Sequence, residues 1–326
     1  MAKTPGGCIL AVVYIHCKAG NDLSIDTFNG FTYFIIRNLA NFPVDVFFFI
    51  SGFFVKPVDN NVLYYKKRLP KLIFPYLFYS VIYLIVKFIS KGSIGVKTII
   101  GGLFLGTAAV PFYYIVVLVY FTLLTPYLQK CIHNKAISIL IMSSTPVFIV
   151  ISHLSKIYSI GIIDFGIKYS PIWLSFYYLG MLIKYYKPNF NKKALWILLG
   201  GSFLFELAGT IILMPIENFN AYTQLRFGGM FYAAAIVLLV YEYSKNEVRK
   251  ESHKLLCRLG DDSYPMYYIH CLIISLYGKV IEYKDSMILP LYVFIQLAFS
   301  IFICEIIIIT LKKIVTEKKM KIVLGI

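Results

Sequence analysis

Long apolar runs, separated by short charged or glycine-bearing stretches, make up most of the chain. A helix crossing a hydrocarbon core of about 30 Å needs roughly 20 apolar residues at about 1.5 Å of rise each. Ten runs approach that length: 4–17, 28–55, 70–89, 111–128, 135–152, 170–186, 194–214, 226–243, 264–281 and 288–311. The pattern predicts an all-α, polytopic membrane bundle of about ten transmembrane helices, with residues 1–326 forming a single domain. The first run is short, reaching only about 21 Å between Lys3 and Lys18. Thr4-Pro5-Gly6-Gly7 is also a poor helix start. This end is therefore expected to be irregular or to continue upstream; a cleaved leader competes, but no small-residue cleavage pattern follows Ile15. Residues 94–106 are glycine-bearing and too short to cross, which predicts an interfacial or re-entrant piece. The absence of an internal repeat gives no support to a transporter built on inverted repeats.

Composition agrees. Hydrophobic residues reach 59% and the mean hydropathy is +0.74, against about 45–50% apolar residues in soluble domains. A net charge of +16 would point to nucleic acid in a soluble protein. Here the cations sit in short loops flanking apolar runs, so topology accounts for them and no nucleic-acid partner is expected. Placing Lys56, Lys66–Lys71, Lys184–Lys193, Lys245–Arg258 and Lys312–Lys321 in the cytoplasm puts most of the 32 cations inside. That predicts an N-in/C-in bundle, with the loop at 152–169 external. The six cysteines are scattered without a CxxC spacing, which argues against a disulfide framework or a zinc site, and no metal is expected.

Polar residues inside the apolar runs carry the candidate chemistry, because an ionisable group at membrane depth costs about 2.5–3.5 kcal/mol on insertion scales. Arg37, Asn41 and Asp45 recur at spacings of four, which places them on one helical face. Pro43 interrupts that turn and frees a carbonyl. Arg37 and Asp45 lie about 12 Å apart along a helix and cannot pair directly, so each needs another partner. His16 ends the first run; an imidazole with a reference pKa of about 6.5 suits proton transfer near neutral pH. Ser263, Tyr267 and His270 share a face of the ninth run, and Ser202, Glu206 and Thr210 share a face of the seventh. Tyr113 and Tyr120 share a face of the fourth, where packing is the favoured role among 27 tyrosines. Tyr65, Lys66, Lys67 and Arg68 form a basic segment suited either to anionic lipid or to the phosphates of a soluble cofactor. Nothing resembles a Walker loop or GxGxxG, which excludes nucleotide hydrolysis on that basis.

At these residues the chain resembles the membrane acyltransferases of the acyltransferase-3 type, which O-acetylate bacterial surface glycans. Val44-Asp45-Val46-Phe47-Phe48-Phe49-Ile50-Ser51-Gly52-Phe53 is similar to that family's GVDxFFxxSGF signature. Four further stretches match in order: Tyr65 to Tyr76, Phe112-Tyr113-Tyr114-Ile115 through Pro126, Phe176-Tyr177-Tyr178-Leu179-Gly180, and Leu259 to His270. The resemblance implies acetyl-CoA as acyl donor and a hydroxyl of a surface or lipid-linked glycan as acceptor, at the bacterial cytoplasmic membrane. It implies His16 as the catalytic histidine, with Arg37 and Asp45 orienting it or stabilising charge. It places Tyr65, Lys66, Lys67, Arg68 and His270 on the cofactor path, with His270 in the inner half and His16 at the outer end. Asn41, Tyr113 and Glu206 are the candidates for the acceptor. The family's usual arginine, eleven residues before the histidine, is replaced here by Pro5; either the natural start lies upstream or Arg37 takes that role. Relatives that serve as membrane domains of amino-acid importers supply the alternative, a transporter or flippase of the same fold.

Overall fold

The computed structural model describes residues 4–17, 25–158, 171–217, 225–245, 254–284 and 287–326. The expected external loop at 152–169 and the basic segment at 245–258 fall largely outside them. All the regular structure among the described residues is helical, with no strand. In chain order the helices are α1 (Thr4–His16), α2 (Phe28–Leu39), α3 (Pro43–Phe53), α4 (Asn61–Lys91), α5 (Val96–Phe104), α6 (Tyr113–Cys131), α7 (Lys135–Met142) and α8 (Ser144–Ile157). They continue as α9 (Leu174–Tyr186), α10 (Lys192–Glu217), α11 (Phe227–Ser244), α12 (Lys254–Asp261), α13 (Ser263–Val280), α14 (Leu289–Ile314) and α15 (Lys318–Leu324).

Among the described residues, seven stretches are long and apolar enough to cross a membrane: 28–53, 61–91, 110–131, 135–155, 192–214, 227–244 and 289–314. The other three expected spans fall short for separate reasons. Helices α1 and α9 have 13 residues each. Helix α13 has 18, but Tyr264, Tyr267, Tyr268 and His270 dilute its apolar character. The poor helix start does not unravel the N-terminal segment, which is helical from Thr4. The piece at 94–106 forms α5, nine residues long, whose neighbouring Gly106 N–H donates to the Tyr76 hydroxyl at 2.9 Å.

Local chemistry explains the helix boundaries. The Thr27, Asn60 and Asn134 side chains each accept a backbone N–H in the first turn of α2, α4 and α7, satisfying donors that the helix itself leaves orphaned. The expected continuous face of Arg37, Asn41 and Asp45 is corrected by the structure. Helix α2 ends at Leu39, and α3 restarts with Pro43 at its N-terminus. Proline has no N–H and fixes φ, so it cannot continue α2 but suits the first turn of a new helix. Asp45 therefore falls in the first turn of α3, where unpaired N–H groups favour an acid.

Two hydrophobic cores organise the bundle. One joins α1, α4, α13 and α14 around Ile9, Val13, Tyr268 and Ile308. The other joins α3, α9 and α11 around Phe48, Phe49, Tyr177 and Val237. Helix α6 belongs to both: Ile115 and Val116 pack into the first, Val117 and Phe121 into the second. Helices α3 and α9 approach most closely at two glycines. A Cβ on Gly52 would collide with the Tyr177 carbonyl, and one on Gly180 with the Phe49 carbonyl. Small residues allow such backbone contact where lipid supplies no hydrophobic drive between helices. Gly52→Ala and Gly180→Ala are therefore expected to destabilise the folded chain by about 1–3 kcal/mol each, as overpacking typically does. Gly200→Ala and Gly201→Ala, which meet nothing within 4 Å, should not. Aggregation temperature of the detergent-extracted protein separates the two sets.

Candidate active site in the seam between the cores

A cavity of about 770 Å³ runs between the two cores, within the roughly 300–1,000 Å³ typical of small-molecule sites. Its walls come from both sides: Val12 and Tyr267 from the first core, Phe47, Leu118 and Trp173 from the second or its edge. Tyr113 and Tyr114 also line it. The Tyr267 hydroxyl donates to the Pro111 carbonyl, and Tyr114 and Ser51 share a hydrogen bond of 3.2 Å, so the phenols are fixed in place.

His16 and Arg37 line the cavity together. Helices α1 and α13 bring His16 onto His270, with ring centroids 5.3 Å apart. The reason lies in the register. A Cβ on Gly6 would strike the Leu256 carbonyl in α12, so α1 lies backbone to backbone against the short helix that leads into α13. The expected separation of His16 at one end and His270 in the other half is corrected by that contact: the two rings lie side by side. His270 is fully buried and does not line the cavity. Its Nδ1 lies 3.1 Å from the Met266 carbonyl, which can only accept, so Nδ1 carries the proton. The neutral ring then offers Nε2 to Cys271 Sγ at 3.3 Å.

Arg37 is held from behind. Its Nη1 donates to Asn41 Oδ1 at 3.2 Å, and Asn41 Nδ2 donates to Glu206 Oε1 at 3.0 Å. The same Glu206 oxygen receives Arg226 in a buried ion pair. Arg226 Nη1 donates to Thr210 Oγ1 at 2.6 Å, and Thr210 donates to Asn38 Oδ1 at 2.6 Å. Glu206, Thr210 and Asn38 are each 0% exposed, so this chain of contacts presents only Arg37 to the cavity. Asn41 and Glu206 support the site and do not line it. Asp45 is also buried outside the cavity lining, and its Oδ2 has no hydrogen-bond partner among the described residues. An orphaned buried oxygen of this kind marks a site that stores strain or meets a ligand.

The other end of the cavity is basic. Arg68, Lys71 and Leu72 line it from one face of α4, joined by Lys321, Ile322, Gly325 and Ile326 from α15 and the residues after it. Lys66 and Lys67 are exposed and lie outside the lining, and the Tyr65 hydroxyl donates to the Leu123 carbonyl at 2.8 Å. A helix turns about 100° per residue, so Arg68, Lys71 and Leu72 fall within one arc of about 100°, with Lys67 just beyond its edge and Lys66 on the far side. The Tyr264 hydroxyl, on the wall, donates to the Lys71 carbonyl at 2.9 Å.

Arg226 and Lys321 are site residues that the sequence pattern does not single out. Arg226 immediately precedes Phe227-Gly228-Gly229, and a Cβ on Gly228 would come within 2.6 Å of Glu206 Cα. The glycine lets α11 close on α10 and set Arg226 over Glu206. An arginine beside a glycine pair, following a run that holds an acid, is the one signal available.

A family model described as an acyltransferase domain, of the acyltransferase-3 type, matches residues 6–310. No curated protein and no solved structure matches the chain. The matched stretch contains His16, Arg37, Asp45, Arg68, Glu206, Arg226 and His270.

Proposed function

The chain belongs to the acyltransferase-3 family and is a multi-pass membrane acyltransferase, and from that premise we propose that it moves acetyl from acetyl-CoA to a hydroxyl of a surface or lipid-linked glycan. One observation carries this reading: a single cavity has a cluster of cations at one end and a histidine with a fixed arginine at the other. In this reading ten helices cross the bacterial cytoplasmic membrane, N-in/C-in, with the short α1, α9 and α13 spanning inside the bundle where neighbours cover their polar groups. The basic end then faces the cytoplasm.

Arg68, Lys71 and Lys321 hold the donor's phosphates by charge-assisted hydrogen bonds. The tyrosine-lined middle admits the slender apolar part of the donor and excludes water. The donor supplies a thioester whose acyl carbon is open to attack. At the far end His16 takes the proton from the acceptor hydroxyl as the new ester bond forms. Arg37, kept on station through Asn41 and Glu206, stabilises the negative charge that develops on the carbonyl oxygen. The thiolate of CoA leaves toward the basic end. The transporter alternative draws no support from the family match.

The test is mass spectrometry of surface glycans from a strain with and without the gene. Loss of one acetyl per modified sugar is expected; an unchanged acylation pattern overturns the reading. A binding experiment checks the donor end. The triple variant Arg68→Gln/Lys71→Gln/Lys321→Gln is expected to bind acetyl-CoA at least about tenfold more weakly, since charged contacts contribute roughly 1.5–3 kcal/mol each. Lys66→Gln/Lys67→Gln, off the cavity, is expected to keep most of the affinity. Equal losses in both variants would leave only a diffuse electrostatic role.

A further inference from the structure

His270 and Cys271 are neighbours in sequence on α13, and α1 delivers His16 to the same point from another part of the chain. One ring nitrogen of His16, one of His270 and Cys271 Sγ all lie within 4.8 Å of one another. The proposed acyl transfer uses only His16 of the three. Several features fit the cluster to a metal ion. Met266 accepts from His270 Nδ1, the backbone contact that fixes the tautomer and aims the other nitrogen in ligating histidines. That other nitrogen already meets Cys271 Sγ at 3.3 Å. A tetrahedral zinc site with bonds of about 2.0 Å to nitrogen and 2.3 Å to sulfur needs ligand atoms roughly 3.3–3.8 Å apart, which the His270–Cys271 pair already meets and which the 4.8 Å limit on the whole cluster brings within reach of a small side-chain adjustment. His16 lines the cavity, which gives an ion a way in and leaves a fourth position open.

We propose that His16, His270 and Cys271 form a binding site for a soft divalent transition-metal ion of the zinc class. Two imidazole nitrogens and one thiolate select against hard cations, which prefer oxygen ligands. Arg37 lines the same cavity and opposes an additional dication; the thiolate formed at Cys271 cancels one of the two charges. Binding therefore forms two metal–nitrogen bonds and one metal–sulfur bond and releases the Cys271 proton to water. The ion takes the lone pair with which His16 would accept the hydroxyl proton. The site is thus an inhibitory one; this consequence rests on the acyl-transfer reading above, whereas the binding itself does not.

Cobalt(II) is the probe, added to the purified full chain in lipid nanodiscs. Saturable binding of one ion is expected, with visible bands of a tetrahedral centre and a sulfur-to-cobalt charge-transfer band. Cys271→Ser is expected to remove the charge-transfer band and to weaken binding by more than the roughly 10–100-fold that loss of an outer-shell partner costs. Cys17→Ser, which removes the thiol next to His16, is expected to change neither. Absence of saturable binding, or a charge-transfer band that survives Cys271→Ser, overturns the proposal. Zinc is then added during acyl transfer. Wild type should be inhibited, and Cys271→Ser should transfer normally while needing at least about tenfold more zinc for the same inhibition. A cobalt centre with the thiolate band but no inhibition by zinc keeps the metal site and removes His16 from proton transfer.

Discussion

His16→Ala is expected to lower acyl transfer about 10²–10⁴-fold, the range for loss of a general base, with no drop in the amount of protein in the membrane. The second half of that expectation comes from geometry. His16 lines the cavity, so truncating it enlarges an existing space and leaves no closed void in a core. His16→Gln should do no better than alanine, because an amide keeps a polar contact but cannot take the proton. His270→Ala provides the contrast. That ring is fully buried and anchored to Met266, so its removal opens an internal void and should cost stability more than rate. Initial rates with labelled donor, normalised to membrane abundance by immunoblot, separate the two effects. Near-normal transfer by His16→Ala would place the base elsewhere. Asp45, with an unpartnered buried oxygen, would be tested next, followed by Glu206.

The pieces legible in the sequence were those set by short-range spacing. Arg37 and Asn41, four apart, do meet through a hydrogen bond. Glu206 and Thr210 share the buried face that their spacing predicts. Seven of the ten apolar runs fall, among the described residues, on helical stretches long and apolar enough to cross a membrane. What spacing cannot give is the register between helices distant in sequence. His16 and His270 meet because α1 packs at Gly6 onto the Leu256 carbonyl of α12, a contact between residues more than two hundred positions apart. Without it, the depth of each histidine is counted from its own helix end, and that count put them in different halves. The same limit hid the juxtaposition of His16 with His270 and Cys271, since spacing along the chain is the only cue a scan for ligand motifs can use.

Proline and glycine were legible as punctuation but not in full as causes. Pro43 announces an interruption; that it ends one helix and starts another, moving Asp45 off the Arg37 face, depends on the three-residue joint 40–42. The Ser51-Gly52-Phe53 and Leu179-Gly180 stretches stand out as motifs, yet their purpose appears only when α3 and α9 touch backbone to backbone. These glycines set the seam in which Phe47, Ile50 and Ser51 of α3 face the cavity. The basic segment shows a third kind of limit. Lys66, Lys67 and Arg68 read as one cluster, but helical rotation gives only Arg68 to the cavity and brings in Lys71 and the distant Lys321.

Glu206→Leu and Arg226→Leu, made singly, are each expected to destabilise the fold by about 3–5 kcal/mol, because each leaves an uncompensated charge in a dry interior. Glu206 is 0% and Arg226 is 3% exposed, so water cannot take the place of the missing partner. The double variant Glu206→Leu/Arg226→Leu should recover most of the loss. Thr210 still donates to Asn38 when Arg226 is gone, so that pair remains satisfied. Asn41 Nδ2 loses its acceptor, and one unsatisfied amide costs about 1–3 kcal/mol, which sets the part not recovered. Unfolding in mixed micelles, carried out as a double-mutant cycle, measures the coupling. Additive losses would mean that the two residues do not act as an ion pair. The folded double variant also tests what the network does for chemistry. With Asn41 no longer tied to Glu206, Arg37 is less firmly placed beside the reacting carbonyl. Turnover should then fall while the affinity for acetyl-CoA, set at the other end of the cavity, stays unchanged; equal losses in both would show that the network shapes the whole seam and not Arg37 alone.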